Sequence, residues 1–418
     1  MANACSQTIA NRNCWSCDSR SLFFDLRNEE SQFDSPSIMR LDVVSRDSYA
    51  IYTHGLKSCC GVPTCSPVDD RVVFIHADEP MDDEWQYCAW HRRGVVVRQN
   101  DPQNATTLDA RDIVPPFTAG ALRGGTHLHT FNHDATAIVS TYEDHVLAIH
   151  HGGHAEANRR GIAVHILSIP VAVPKTHPRN HDGSSFTAFV SQLADKPIPG
   201  SDEISMATGE AWLAGPGNRI AMQGTVVDRR GNPCVEIFLI TLPNRLSDLC
   251  IPGKHPLQGT LATRPGVPAG VTQQRLTYTS ERAFPGIFGP RHWAVSSADG
   301  SRIGFFMRDD NGTVQFWTVS PDSGEVIQVT YNAPEPTSPF TWHPDGSRVT
   351  YVADGSVMLV NISDGSFQRL TPRMPIADGP THHACVFSPD GSSIAYMQPV
   401  DFIVDGRHKR FNQIQIVR

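Results

Sequence analysis

The chain has 418 residues, a formal net charge of −8, 19% charged and 39% hydrophobic residues. It is long enough to bury a sizeable core, and with no basic run beyond "RHKR" at 407–410, which reads as a solvated turn, it offers no groove for nucleic acid. No apolar stretch approaches the ~18 residues that a membrane span needs. The N-terminus "MANACSQTIANRNCW" has no cationic segment followed by an apolar core, so as written the chain is expected in the cytoplasm, or outside it if a signal peptide has been removed.

Taken in chain order, seven segments share one pattern: an aromatic or apolar residue, a tight turn, then a β-branched strand. They are "NCWSCDSRSLFFD" (Trp15), "PTCSPVDDRVVFI" (Cys65), "LHTFNHDATAIVS" (Phe131), "EAWLAGPGNRIAM" (Trp212 or Leu213), "HWAVSSADGSRIGFF" (Val295), "FTWHPDGSRVTYV" (Trp342) and "ACVFSPDGSSIAY" (Phe387). The sixth is the clearest, with strands predicted at 338–343, 348–353, 356–362 and 367–371 between Asp-Gly turns, whose glycine supplies the positive φ of a tight hairpin. A four-stranded meander that recurs about every 40–45 residues is a propeller blade. The expected fold is therefore all-β, one seven-bladed β-propeller domain over 1–418. The last repeat stops after "FNQIQIVR", and "SQTIAN" at 6–11 resembles a fourth-strand ending, so the N-terminal strand is expected to join the last blade and close the ring.

Six of the ten cysteines precede residue 66. Cys14 and Cys17 form a C-x-x-C without a second pair or a nearby His, which favours buried free thiols over zinc.

Aligning the repeats on the residue before each turn places His127, Arg291 and His383 four residues upstream. His129, Trp293 and Glu210 or Ala211 stand two upstream, with His292 and His382 close behind. Residues two apart on a strand share a face, so these side chains are expected to converge at one mouth of the central channel. His127-x-His129 with a third His suits an open three-ligand metal sphere; the alternative is a polar lining that holds water. His133 and His343 take the place of Ser in Ser-Pro-Asp-Gly and read as turn residues. A second cluster, "STYEDHVLAIHHGGHAEANRRG", offers Tyr142, Glu143, Asp144, His145, His150, His151, His154, Arg159 and Arg160, with Tyr142 and His145 placed to overhang the mouth. The long approach "DARDIVPPFTAGALRGGTHLH" reads as a functional lid, in which Arg123 is suited to an anionic group.

The repeats "WHPDGSRVTYVADG" and "FSPDGSSIAYM" resemble TolB-type propellers and the related oligogalacturonate lyases. The strings "DARDIVPPFTAGALRGGTHLHTF", "TYEDHVL", "RNHDGSSF" and "KPIPGSDEI" resemble a bacterial family of such propellers with no established activity. The lyase resemblance implies a divalent metal, Mn²⁺ or Ca²⁺, on His127, His129 and His383. It further implies catalysis by a His and an Arg, for which His292 and Arg291 are candidates; by their own placement at the mouth, Tyr142 and His145 are further catalytic candidates and Arg123, Glu210 and Trp293 candidate substrate contacts. The lyase match departs in blade position and in lacking a Gln before the His pair. The implied reaction is metal-assisted β-elimination on a uronate oligosaccharide of oligogalacturonide or rhamnosyl-glucuronate type, where a cation offsets the enolate-like charge and a neutral His or a Tyr takes the proton. Two other readings stand beside it. One is a TolB-like protein-interaction propeller without catalysis; the other is a metal-dependent hydrolase or lactonase using carboxylates such as Glu210 or Asp144.

Overall fold

Short apolar strands closed by glycine turns cannot bury their faces as isolated hairpins. In the computed structural model, which describes residues 5–29, 31–55, 58–77, 80–150 and 159–418, they stack as seven antiparallel sheets. The protein is an all-β, seven-bladed propeller with blades spanning 6–53, 60–107, 124–189, 207–275, 296–328, 341–369 and 386–417. Five sheets carry four strands in sequential order, and blades 5 and 7 carry three. In blade 5 the first-strand position is reduced to a bridge between Ser296 and Ile303.

The first strands of blades 2, 3, 4, 6 and 7 are Cys60–Cys65, Gly124–Phe131, Ala207–Trp212, Thr341–Trp342 and Val386–Phe387. Each ends on the residue expected to precede its turn. Gly346 and Gly391 close two of those turns at φ 74° and 73°, donating their N–H groups to His343 O and Ser388 O at 2.9 Å. His343 and His133 are turn residues accordingly.

Neighbouring blades pack face to face. Between blades 5 and 6, Phe306, Phe316, Phe340, Trp342 and Tyr351 form one buried cluster, with Phe306 and Phe340 edge to face at 5.3 Å; each such ring contributes about 2–3 kcal/mol through burial. Polar ties run between first strands as well: the indole N–H groups of Trp212 and Trp342 donate to Thr130 O and Val295 O in the preceding blades.

The N-terminal segment lies elsewhere than expected. Ser6–Ile9 pairs with Ser21–Arg27, from Ser6↔Arg27 to Ile9↔Phe24, and so is the first strand of blade 1 rather than the outer strand of blade 7. The reason is burial: Ile9, Ala10 and Trp15 enter the core between blades 1 and 7 with Ala384, Val386 and Met397, and Trp15 donates to Val386 O at 2.9 Å. The chain ends still meet, because Asn412 N–H donates to Ser6 Oγ and Ile414 N–H to Gln7 Oε1.

Candidate functional site at the channel mouth

In blade 5 the chain passes the channel with regular alternation. Arg291 lies over Trp293, 5.2 Å from its ring centroid, while His292 points the other way into the blade. There the His292 Nδ1–H donates to Pro290 O at 2.7 Å and Nε2 accepts the Phe306 N–H at 3.2 Å. Its ring packs on Phe306 at 5.0 Å, and burial holds its pKa down at about 4. With both nitrogens used internally, His292 is packed as a core residue, not as the channel-facing group expected.

Blade 3 breaks the alternation. Leu128 adopts φ 53°, and pairing with the second strand slips between Val139 and Thr141, the signature of a bulge that turns the following side chain to the other face. His129 Nε2 is hydrogen-bonded to Thr126 Oγ1 at 2.9 Å, and its ring lies 5.8 Å from that of His165. Thr126 adjoins His127 and points away from it, so His129 does too. Val62 and Gly209 take the same offset in blades 2 and 4, at φ 57° and 64°.

His127 therefore reaches the mouth without His129. Burial first, then the charges of Arg92, Arg160 and Arg291, push its pKa well below the ordinary imidazole value. Around it stand groups from five blades. Arg12 of blade 1 crosses the channel, its Nη2 donating to Thr130 Oγ1 at 2.8 Å and Glu210 O at 2.6 Å, and its guanidinium lies 5.8 Å from the Trp293 ring. Burial lowers its pKa to about 10. Arg160 Nε donates to Glu143 Oε1 at 2.7 Å, and Arg291 is solvent-facing yet has its pKa lowered, first by partial burial and then by Arg160. Glu210 is fully buried; both its oxygens accept from Thr141 Oγ1, at 2.8 and 2.9 Å, and burial raises its pKa against the pull of Arg12 and Arg291. Four guanidinium groups thus face two carboxylates. Two buried polar atoms here, Glu143 Oε2 and Arg92 Nε, have no hydrogen-bond partner, although a buried polar group ordinarily finds one.

The other expected residues are engaged in the protein's own packing. Tyr142 is buried, its hydroxyl donating to Asp144 Oδ2 at 2.9 Å and accepting the Arg123 N–H at 3.3 Å. Burial and Asp144 raise its pKa well above the phenol range. Arg123 is fully buried and spends its guanidinium on Asp144 at 2.5 Å and on the carbonyls of Thr260 and Thr263; it ties a loop down instead of meeting substrate. His145 opens the short helix His145–His150, where its Nδ1 is 3.1 Å from His91 Nε2 and its ring is 4.8 Å from that of Trp85. Burial, with His91 and Arg111 nearby, lowers its pKa to about 3. Glu210 and Trp293 back the mouth from buried positions without facing solvent. His383, half-buried just ahead of the first strand of blade 7, has its ring 4.5 Å from that of His382. The segment expected as a lid is anchored, with Asp109, Arg111 and Asp112 fully buried. His151 and His154 lie outside the described residues.

Sequence reasoning missed Arg12 and Arg92, and named Glu143 and Arg160 without a role. Arg12 stands three residues before Trp15, off the two- and four-residue positions where strand alternation places channel side chains. Arg92 precedes the third strand of blade 2, where the repeat alignment does not reach.

Fold and site together define a seven-bladed propeller with a cationic channel mouth. The chain belongs to the family of the Escherichia coli (strain K12) protein described as "Uncharacterized protein YidR", to which it is 38% identical over 391 residues, covering 93% of this chain and 92% of that relative. Residues 59–181 match a family model described as "Protein of unknown function (DUF3748)". Among solved structures, an oligogalacturonate lyase in complex with manganese aligns with TM-score 0.57 at 12% identity, covering 99% of this chain and 89% of that one. The propeller domain of the Trilobed protease from Pyrococcus furiosus aligns with TM-score 0.50 at 9% identity, over 97% of each chain. These two likenesses show the fold.

A manganese site does not fit the residues present here. His127 and His129 face opposite ways, and His292 has no free lone pair. Among the described residues no three His, Cys, Asp or Glu side chains are grouped to hold a metal ion.

Proposed function

We propose that the channel mouth binds a uronic-acid-containing oligosaccharide and cleaves it by β-elimination, with arginines taking the part expected of a metal. The observation that carries this reading is the convergence of Arg92, Arg160 and Arg291 on a neutral His127, beside the unpartnered Glu143 Oε2. Arg291 with Arg92 or Arg160 would hold the uronate carboxylate, since planar guanidinium groups match its geometry. Glu143 Oε2 would accept a sugar hydroxyl. Bound carboxylate also neutralises the cations that depress His127, which raises its proton affinity when substrate is in place. His127 then takes the proton from the carbon beside the carboxylate, the electron pair forms the carbon–carbon double bond, and the glycosidic C–O bond breaks. The leaving oxygen takes a proton from water at the open mouth. Charge developing on the carboxylate is stabilised by the arginines already aimed at it.

The test is to incubate the protein with oligogalacturonides and glucuronate-containing glycans and follow the ultraviolet absorbance of the unsaturated uronate. Absorbance that rises for wild type and stays flat for His127→Ala supports the proposal. Absence of unsaturated product across the panel would sink it.

A further inference from the structure

At the outer strand of blade 3 lies a cavity of about 910 Å³, walled by Leu147, by Phe189 to Leu193 of blade 3 and by the loop at 253–268 of blade 4. Its floor is apolar at Leu147, Phe189 and Val267. Its rim carries Arg159, Lys254, His255 and Arg264 against one carboxylate, Asp195. Asp195 is engaged already, its Oδ1 taking Arg264 Nη1 at 2.5 Å and its backbone O taking Arg159 Nη1 at 3.2 Å. Lys254 and His255 are exposed. A cation-rimmed cleft of this size on a chain of net charge −8 selects an anionic ligand.

The cleft and the mouth share a wall. Arg159 lines the cleft and Arg160 the mouth, with their Cα atoms about 3.8 Å apart. Likewise Glu143 meets Arg160, while Asp144 accepts the Leu147 N–H on the cleft side. The Arg123–Asp144 pair, through Thr260 and Thr263, holds the cleft's outer loop against blade 3.

We infer that the cleft is an extended subsite for the same polyanionic sugar chain: one uronate sits at the mouth and further uronates run past Arg159 towards Lys254 and Arg264. This rests on the uronate reading of the mouth. It makes the protein selective for oligomers over monomers.

Calorimetric titration of the full chain with galacturonic acid and with its hexamer tests it, using wild type, Lys254→Glu, Lys254→Arg and Arg291→Ala. The expected result is tighter binding of the hexamer. Lys254→Glu should reduce that advantage about tenfold without changing monomer affinity, and Lys254→Arg should preserve it. Equal affinity for both ligands, or a hexamer advantage indifferent to Lys254→Glu, overturns the subsite while leaving the mouth reading intact if Arg291→Ala still weakens both ligands. No binding of either ligand by wild type overturns the two together.

Discussion

His127 and His129 stand two residues apart on one strand and face opposite ways, because Leu128 between them is left-handed at φ 53°. His127 looks into a ring of arginines, and His129 looks at Thr126 and His165. One bulge thus separates a site residue from a structural one, and it dissolves the ligand pair that a metal would need.

Metal removal follows directly. Dialysis against a chelator is expected to leave uronate binding and turnover unchanged within error, and added Mn²⁺ or Ca²⁺ to bring no stoichiometric gain. Elemental analysis of the purified protein alongside activity checks this. Tight retention of one metal ion that His127→Ala releases would count against it.

Arg291 faces solvent and backs on Trp293, so its loss should spare the fold. Arg291→Ala is expected to weaken uronate binding by about 10–100-fold, the equivalent of one charge-assisted contact of roughly 1.5–3 kcal/mol, with Arg291→Lys intermediate. Titration and a thermal melt on the same samples separate the two effects.

The Arg123–Asp144 pair gives the opposite pattern. Arg123→Ala leaves a buried carboxylate with its cation gone and should cost about 3–5 kcal/mol, seen as a lower denaturant midpoint. Adding Asp144→Asn should recover part of that loss. Tyr142→Phe, which removes the hydroxyl's bonds to Asp144 and to the Arg123 N–H, should cost about 1–3 kcal/mol and keep turnover.

Stability should fall on the acid side of neutrality. Burial holds the folded pKa of His292 at about 4 and of His129 and His145 at about 3, and keeps those of His127 and His165 well below the ordinary imidazole value. Unfolded imidazoles titrate near a pKa of about 6.5. Between these values the unfolded chain binds more protons, so the stabilisation is whole above pH ~6.5 and declines as pH falls, by about 1.4 kcal/mol per pH unit for each histidine. Asp109 and Glu210, whose pKa values are raised, oppose the trend where they titrate. Urea unfolding between neutral pH and pH ~5 checks the slope, and His292→Gln should reduce it by one proton.

Much of the architecture is legible in the sequence. The turn glycines and the period-two strands set seven blades and their starting residues, because hairpin chemistry is local: Gly346 and Gly391 have the positive φ that their Asp-Gly context demands. At blade 5 the placement of Arg291 and Trp293 on one side of the chain was legible, whereas the core packing of His292 between them was not.

Tertiary structure decided the rest. Leu128 and Val62 carry no local mark of left-handed backbone, for β-branched or bulky residues rarely adopt it, and packing against neighbouring blades imposes it. Arg12 belongs to the site only because ring closure brings blade 1 across from blades 3 and 4. Arg123, Tyr142 and His292 have the chemistry of a site and the surroundings of a core. The sequence by itself determined which strands form and where they turn; which polar side chains face the channel depended on bulges and closure, which arise from contacts between residues far apart in the chain.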